Sequence, residues 1–402
     1  MSYSLEKKQT KAHPIRATGS TLIAQDAENL VIVYNKFKSN SPPPKPESQL
    51  TLNLVLFHGT GFNKSVWTYL IKQLYKLSQS GQVPWHLDTV LAIDAVGHGD
   101  SSVANDGKLG SIYMWDDGSR DVIDVINHER KTTGDVQNNL ETRTVAIGHS
   151  MGGYMALYAA FLETTMFDSV VAIEPVIYGT SETRARFQKI LKKMAKMMKD
   201  TFNTEKEAID YFSKYSFTKT FQADVLKDYI NDEVYKTKTK DGNVVYKAKC
   251  LAFNQLATYT SGNRSSFKGM LALPQINVPV FHVVGGAATW NLKDSIAWIR
   301  NAIRPDMLAG VISIDKGQHL VNSERPDDVV KVIVDALTKR DNDFKQSKES
   351  IPEVALRGDR EALLEQQQKL LFNFDLANIY GSDGDKAYLP FDLHTDKNNS
   401  KL

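Results

Sequence analysis

At 402 residues, the chain is long enough for one large domain with an insertion or for two domains, and its 42% of apolar residues could supply a sizeable core. A net charge of +2 gives no overall argument for nucleic-acid binding, and no apolar run approaches the ~20 residues that span a bilayer. The single cysteine, Cys250, excludes an intramolecular disulfide and fits a reducing compartment, and the polar residues 1–20 have no apolar core of the kind that a secretory signal needs.

Short apolar runs alternate with helical patterns along the first 178 residues. Two runs, at residues 21–24 and 30–34, predict an antiparallel hairpin. Buried strands are predicted downstream at residues 52–57, 89–93, 144–148 and 169–173, and helices at 64–77, 120–129 and 153–162. Because strands that alternate with helices are joined by right-handed crossovers, this order predicts an α/β fold with a mostly parallel sheet and helices on both faces.

The alternation stops between residues 179 and 277, where several helical patterns and almost no strand signal predict a helical insertion. The sheet resumes at 278–285 and ends with a strand at 310–314, with helices at 292–302, 324–339 and 359–376. We expect the insertion to form a lid over the carboxyl ends of the strands, where open parallel sheets bind ligands. The chain then divides into a polar N-terminal segment (1–20), a first core part (21–178), the lid (179–277), a second core part (278–340) and a C-terminal extension (341–402).

A Gly-x-Ser-x-Gly motif, with Ser150 between Gly148 and Gly152, lies between a predicted strand and a predicted helix. At such a sharp turn, flanking side chains would collide with neighbouring backbone, and the strain lifts the serine hydroxyl clear of the sheet. The alternative is a Gly/Ser turn that only links the two elements. The strand-turn-helix context favours Ser150 as a catalytic nucleophile.

A serine nucleophile needs a base within hydrogen-bond reach and a carboxylate that orients the base. The chain has nine histidines, and His319 is the one on the loop directly after the final predicted strand, so we predict it as the base. For the acid, Glu174 stands at the end of the strand that follows the motif, whereas Asp294 falls within the helix after residue 285. Strand-end placement and the order serine, acid, histidine favour Glu174.

Two backbone N–H groups are predicted to stabilise a tetrahedral oxyanion. One belongs to Met151, directly after the nucleophile, and we assign the other to Thr60 in the His-Gly-Thr-Gly loop at 58–61. The residues after this loop lack the glycine that a phosphate-binding P-loop places before its lysine, which argues against nucleotide binding.

The chain ends in Ser400, Lys401 and Leu402, the tripeptide that the peroxisomal import receptor reads at a C-terminus. The alternative is three unremarkable surface residues at a frayed end. We favour the targeting signal, which predicts import into the peroxisomal matrix.

The chain resembles the α/β-hydrolase superfamily between about residues 52 and 339. The motifs that carry the resemblance are His58-Gly59-Thr60-Gly61, Asp94-x-x-Gly97-His98-Gly99-x-Ser101, Gly148-His149-Ser150-Met151-Gly152 and His319. With Ile173-Glu174-Pro175 and the terminal tripeptide, the chain looks most like the fungal peroxisomal lipases of the superfamily.

The resemblance implies a serine esterase, lipase or acyl-thioesterase that uses no metal and no organic cofactor. The chain is also similar to fungal peroxisomal acyl-CoA hydrolases, which place their acid after the same strand. It departs from the commoner pattern because no carboxylate directly follows residue 285.

The predicted lid has one apolar helical face that suits flexible acyl chains, formed by Phe187, Ile190, Leu191, Met194, Met197 and Met198. The lid also carries seven basic residues: Arg184, Arg186, Lys189, Lys192, Lys193, Lys196 and Lys199. They could bind the phosphates of an acyl-CoA or an anionic lipid surface. An amphipathic helix with a solvated basic face is the simpler interpretation. We therefore expect a peroxisomal serine hydrolase that cleaves carboxylic esters of fatty acids through an acyl-enzyme. The alternatives are an acyl-CoA thioesterase and a catalytically inactive, hydrolase-like binding scaffold.

Overall fold

The computed structural model describes residues 2–44, 49–349, 357 and 359–374. The chain forms two compact units, Met1–Lys339 and Arg340–Leu402, and every strand described lies in the first. The predicted targeting tripeptide, Ser400 to Leu402, lies outside the described residues.

A mostly parallel sheet forms the centre of the first unit. The described strands are β1 (Tyr3–Lys11), β2 (Val31–Ser39), β3 (Leu50–Phe57), β4 (Trp85–Ile93), β5 (Thr142–His149), β6 (Ser169–Ile173), β7 (Thr201–Phe202), β8 (Val234–Lys238), β9 (Val244–Ala248), β10 (Val280–Gly285) and β11 (Leu308–Ile314). Eight of them form the main sheet in the order β1-β2-β4-β3-β5-β6-β10-β11. All neighbours from β4 to β11 are parallel, and β2 is antiparallel to both β1 and β4.

Helices follow the strands as the sequence pattern predicts. The described α-helices are α1 (Thr68–Gln79), α2 (Gly99–Ala104), α3 (Trp115–Thr132), α4 (Met151–Leu162), α5 (Ser181–Met197), α6 (Glu205–Asp210), α7 (Ala223–Glu233), α8 (Ala252–Ala272), α9 (Lys293–Ala302), α10 (Val321–Glu324), α11 (Pro326–Glu349) and α12 (Arg360–Phe372). Helices α3 and α4 pack with Val55, Leu91 and Ala146 of the sheet in one buried core. Strand β3 is buried at every position, which is typical of a parallel strand covered on both faces.

The predicted hairpin of residues 21–24 and 30–34 is wrong. Ala24–Asn29 forms a 3₁₀ helix, and Thr21 makes only an isolated bridge with Leu109. Strand β2 pairs instead with β1, which lies in the segment that the sequence indicated only as polar. The charged pattern of β1 explains the error, because an edge strand needs few apolar residues and its lysines discourage pairing with other chains.

The segment between β6 and β10 contains helices α5 to α8, as predicted, and also a small sheet in the order β7-β9-β8 that the sequence pattern missed. These strands are two to five residues long and mostly half-buried or exposed, so they carry no continuous apolar run.

The parallel strands bring distant parts of the chain to one edge of the sheet. The carboxyl ends of β3, β5, β6, β10 and β11 all meet at this edge. The residues that follow them include His58, Ser150, Glu174 and His319, so the predicted site residues are gathered there.

Candidate active site

Ser150 lies at the tight turn between β5 and α4. Its backbone has φ 56° and ψ −116°, a strained conformation for a residue with a side chain. A Cβ atom at position 148 would lie 2.1 Å from the carbonyl oxygen of Gly152, and one at position 152 would lie 2.2 Å from that of Phe57. The motif therefore requires glycine at both positions, as predicted from its spacing.

The structure brings Ser150, His319 and Glu174 into one hydrogen-bonded series. The Ser150 Oγ atom is 3.1 Å from His319 Nε2, and His319 Nδ1 is 3.0 Å from Glu174 Oε2. Because a buried carboxylate can only accept here, Nδ1 carries the proton and donates to Glu174. Nε2 is then left as an acceptor for the Ser150 hydroxyl, which is the arrangement that a base needs before it takes a proton.

Glu174 is fully buried and held from several sides. Its Oε1 atom accepts from the backbone N–H of Gly285 at 2.7 Å, and its Oε2 atom accepts from Asn291 Nδ2 at 3.0 Å. The residue has a φ of 47°, so the backbone turns sharply where β6 ends. These donors offset the cost of burying a carboxylate and fix its second oxygen towards His319.

Asp294, the alternative acid, lies in the first turn of α9 and is exposed to solvent. Within the described chain, Glu174 is the carboxylate that contacts the His319 ring. The sequence did not indicate Asn291 or the Gly285 N–H as partners of Glu174. The only feature of the sequence that could have indicated them is their position, because both lie at or just after the end of β10, where the commoner pattern places the acid.

Thr60 and Met151 lie next to each other beside Ser150. The Thr60 hydroxyl approaches the Met151 sulfur at 3.7 Å, and both residues are buried. Met151 is the first residue of α4, where backbone N–H groups have no partner within the helix. Among the backbone hydrogen bonds outside helices and strands in the described part of the chain, none is donated by the Thr60 or Met151 N–H, which fits their predicted role as oxyanion donors.

Three other histidines near the site are buried and have lowered pKa values. His149 Nε2 donates to the carbonyl oxygen of His319 at 2.7 Å, and burial together with the nearby His319 lowers the pKa of His149 to about 3. His58 Nδ1 donates to the carbonyl of Gly59, while its Nε2 accepts from the Ala95 N–H. Burial lowers the pKa values of His58 and His98, so these rings stay neutral at physiological pH.

Lys64, the lysine after the His-Gly-Thr-Gly loop, has no role as a phosphate ligand. Its ammonium is fully buried and pairs with Asp94, Asp100 and Asp232 at 2.7–2.8 Å. Burial alone would lower the pKa of Lys64, but the three carboxylates outweigh it and raise that pKa. This ion-pair cluster joins the loop to α7.

Cys250 is also a packed residue rather than a nucleophile. Its thiol is fully buried and directed at the Gly97 carbonyl, and burial raises its pKa well above the usual range. No group of three or more potential metal-ligating side chains occurs among the residues that the structure describes.

Two cavities meet at Ser150. One has a volume of about 420 Å³ and the other about 320 Å³. Both include Thr60, Ser150 and His319 in their walls, together with Phe217, Tyr259, Trp290 and Leu320. A group bound near the serine hydroxyl could therefore extend in two directions.

Most residues that line only one of the two cavities come from the segment between β6 and β10. Phe187 and Ile190 of α5 face the larger cavity, and Met194, Met197 and Met198 line the smaller one. Arg184 and Arg186 also border the larger cavity. The remaining basic residues fit the simpler interpretation: Lys199 pairs with Glu207, and Lys189, Lys192, Lys193 and Lys196 are exposed.

Comparison with known proteins places this architecture among hydrolases. A model described as "Alpha/beta hydrolase family" matches residues 54–332. The peroxisomal membrane protein LPX1 of Saccharomyces cerevisiae is 30% identical over 348 residues, which is 81% of this chain and 86% of that protein. A crystal structure of the peroxisomal alpha-beta-hydrolase Lpx1 from the same organism superposes with a TM-score of 0.77 at 26% identity, covering 93% of this chain and 99% of the other.

A shorter match extends the comparison to thioesterases. The type I acyl-CoA thioesterase mpaH of Penicillium brevicompactum is 28% identical over 159 residues, 40% of this chain and 33% of that protein. None of the helices described here has the length and apolar character that would be required to cross a membrane.

Proposed function

The chain belongs to the alpha/beta hydrolase family, and we propose that within it the protein is a serine hydrolase that cleaves carboxylic esters of fatty acids through an acyl-enzyme. The observation that carries the proposal is the contact of Ser150 Oγ with His319 Nε2, with Glu174 on the other ring nitrogen. We propose Ser150 as nucleophile, His319 as base and Glu174 as the acid that orients His319.

The proposed reaction begins when Ser150 Oγ attacks the ester carbonyl and transfers its proton to His319 Nε2. The tetrahedral oxyanion is stabilised by the N–H groups of Thr60 and Met151, each of which can contribute ~3 kcal/mol to the transition state. The intermediate collapses, the C–O bond to the alcohol breaks, and His319 protonates the leaving oxygen. Water then gives a proton to His319 and attacks the acyl carbon. The bond between that carbon and Ser150 Oγ breaks, His319 returns the proton to Oγ, and the fatty acid is released.

The apolar cavities support a fatty acyl substrate. Unbranched thioether side chains adapt to ligands of different shape, and Met194, Met197 and Met198 form one side of the smaller cavity. We assign the acyl chain to this cavity and the leaving group to the larger one. In this proposal the segment of residues 179–277 acts as a lid, since its helices form walls of both cavities.

An acyl-CoA thioesterase is the second candidate. Arg184 and Arg186 border the proposed leaving-group cavity, and guanidinium groups bind phosphates well. The matched Penicillium protein bears the name of an acyl-CoA thioesterase. If CoA is the leaving group, Arg184→Met should lower turnover of acyl-CoA and leave turnover of a neutral ester with the same acyl chain unchanged. Lys192→Met, on the exposed face of α5, is the matched control.

We also propose that the protein works in the peroxisomal matrix. The proposal rests on Ser400-Lys401-Leu402, read by the import receptor, and on similarity to a protein named as peroxisomal. Removing these three residues from a fluorescent fusion should leave the fusion in the cytosol.

Labelling with a fluorophosphonate probe tests the serine chemistry directly. Wild type should label and Ser150→Ala should not, while a panel of p-nitrophenyl esters and acyl-CoAs of different chain length identifies the substrate class. A purified, folded wild type that neither labels at Ser150 nor hydrolyses any member of the panel would favour an inactive binding scaffold instead.

A further inference from the structure

The His319 ring has an aromatic neighbour that the proposed reaction has not yet used. Trp290 stacks on the His319 imidazole with 5.0 Å between ring centroids and an interplanar angle of 20°. Trp290 is half-buried and lies on the loop between β10 and α9. The next residue on that loop, Asn291, donates to Glu174.

The hydrogen bonds of His319 leave its ring one soft motion, which is rotation about the Cβ–Cγ bond. This rotation carries Nδ1 and Nε2 out of line with Glu174 and the Ser150 hydroxyl, and hydrogen bonds tolerate moderate changes of angle before they are lost. A flat indole against one face of the ring opposes the rotation, because stacking is lost as the two ring planes turn away from each other.

Trp290 is itself held by the segment between β6 and β10. Phe187 of α5 meets the Trp290 ring edge to face, with centroids 5.6 Å apart and an angle of 78°. Phe187 also contacts Tyr259 of α8 and lines the larger cavity. An aromatic series thus runs from α5 through Trp290 to His319.

We infer that Trp290 is a positioning residue for His319, and that Phe187 keeps Trp290 in its stacked position. The inference rests on the proposed function, since it assumes that His319 is the base. Its consequence is that the orientation of the base depends on where α5 lies. A displaced α5 would leave Ser150 and His319 in place but poorly aligned.

The test compares wild type with Trp290→Leu, Trp290→Phe and Phe187→Leu. Two readouts are measured: kcat and KM for p-nitrophenyl butyrate, and the second-order rate of Ser150 modification by a small fluorophosphonate. The control is Trp298→Leu, which removes a similar half-buried tryptophan stacked on Tyr178, at 4.6 Å, without contact to His319. A thermal unfolding midpoint for each variant separates loss of alignment from loss of fold.

Trp290→Leu should lower kcat and the modification rate ~10- to 100-fold while KM changes little, because misalignment of a catalytic group by about 1 Å can cost that much. Trp290→Phe retains an aromatic face and should recover most of the rate. Phe187→Leu should show a smaller decrease of the same kind, and Trp298→Leu should keep the wild-type rates.

The inference is overturned if folded Trp290→Leu keeps the wild-type kcat, if its only change is a higher KM, or if Trp290→Phe is no better than Trp290→Leu. If Trp290→Leu does not fold, Phe187→Leu decides, and an unchanged kcat there overturns the inference. Failure of the proposed function looks different, because wild type itself would then show neither ester turnover nor labelling at Ser150.

Discussion

The variant Glu174→Gln tests whether Glu174 or Asp294 is the acid that orients His319. Its effect can be worked out from the hydrogen bonds around the Glu174 carboxylate. The Gly285 N–H donates to Oε1 at 2.7 Å, so the amide oxygen of glutamine must take that position. The amide NH₂ group then takes the place of Oε2, facing His319 Nδ1 and Asn291 Nδ2. To accept a hydrogen bond from this new donor at Nδ1, His319 must carry its proton on Nε2 instead. A protonated Nε2 cannot accept the proton of the Ser150 hydroxyl.

This change of tautomer removes the base while leaving the nucleophile in place. A carboxylate-to-amide change in a serine triad lowers kcat by ~10⁴-fold for this reason, which corresponds to about 5.5 kcal/mol of activation free energy. We expect Glu174→Gln to lower kcat by ~10³- to 10⁴-fold with a small change in KM. The thermal unfolding midpoint should fall somewhat although glutamine has nearly the same shape, because its NH₂ group faces the Asn291 Nδ2 donor in a buried site.

The assay is steady-state hydrolysis of p-nitrophenyl butyrate by wild type, Glu174→Gln and Asp294→Asn. Asp294 is exposed, so its variant is the matched control and should hydrolyse the ester at the wild-type rate. A large loss of kcat in Asp294→Asn with little loss in Glu174→Gln would refute the assignment of the acid and the tautomer argument together.

Three further predictions address the turn, a buried acid and the smaller cavity. Gly148→Ala should lower the free energy of unfolding by ~3 kcal/mol or more in urea denaturation, since the added Cβ would lie 2.1 Å from the Gly152 oxygen; a change under about 1 kcal/mol would contradict the steric reason. Burial raises the pKa of Glu233 from 4.5 to about 8, so between these pH values the folded state holds a proton that the unfolded chain releases; this contribution to stability is complete below pH 4.5, falls as the pH rises from 4.5 to 8 and is gone above pH 8. Between pH 4.5 and 8, wild type should therefore lose up to about 1.4 kcal/mol of unfolding free energy per pH unit relative to Glu233→Gln, and parallel curves would disprove it. Met194→Phe should narrow the smaller cavity and lower kcat/KM for long-chain esters about tenfold relative to kcat/KM for the butyrate ester. If the dependence of kcat/KM on chain length is unchanged, the assignment of the acyl chain to that cavity is wrong.

The sequence predicted most of the sheet because central parallel strands are apolar along their whole length. Residues 169–173 were predicted as a strand, and β6 has these bounds. The same reasoning missed β1, whose exposed, charged residues carry no apolar run. The α/β-hydrolase fold is confirmed by the family match and by the likeness to the Lpx1 structure.

The candidate site was predictable where a local pattern marks it. The glycines around Ser150 and the position of His319 after the last strand are local signals, and the structure brings these residues together. Trp290 and Asn291 carry no such signal, because their contacts with His319 and Glu174 join parts of the chain that are far apart in sequence. Their partners could be found only once the strand order was known.

The loop after β10 supports the proposal that a carboxylate at the end of β6 takes the role of one at the commoner position. Strand β6 lies between β5 and β10, so the Glu174 carboxylate is reached by the last N–H of β10 and by Asn291 beyond it. An acid at position 291 would stand about as close to Glu174 as Asn291 does, at 3.0 Å, and two carboxylates at that distance cannot both stay ionised. One would take up a proton, and His319 would lose part of the negative charge that stabilises its protonated form during the reaction. The neutral donor Asn291 is therefore the counterpart of the proposed acid Glu174, because a carboxylate at position 291 would weaken it.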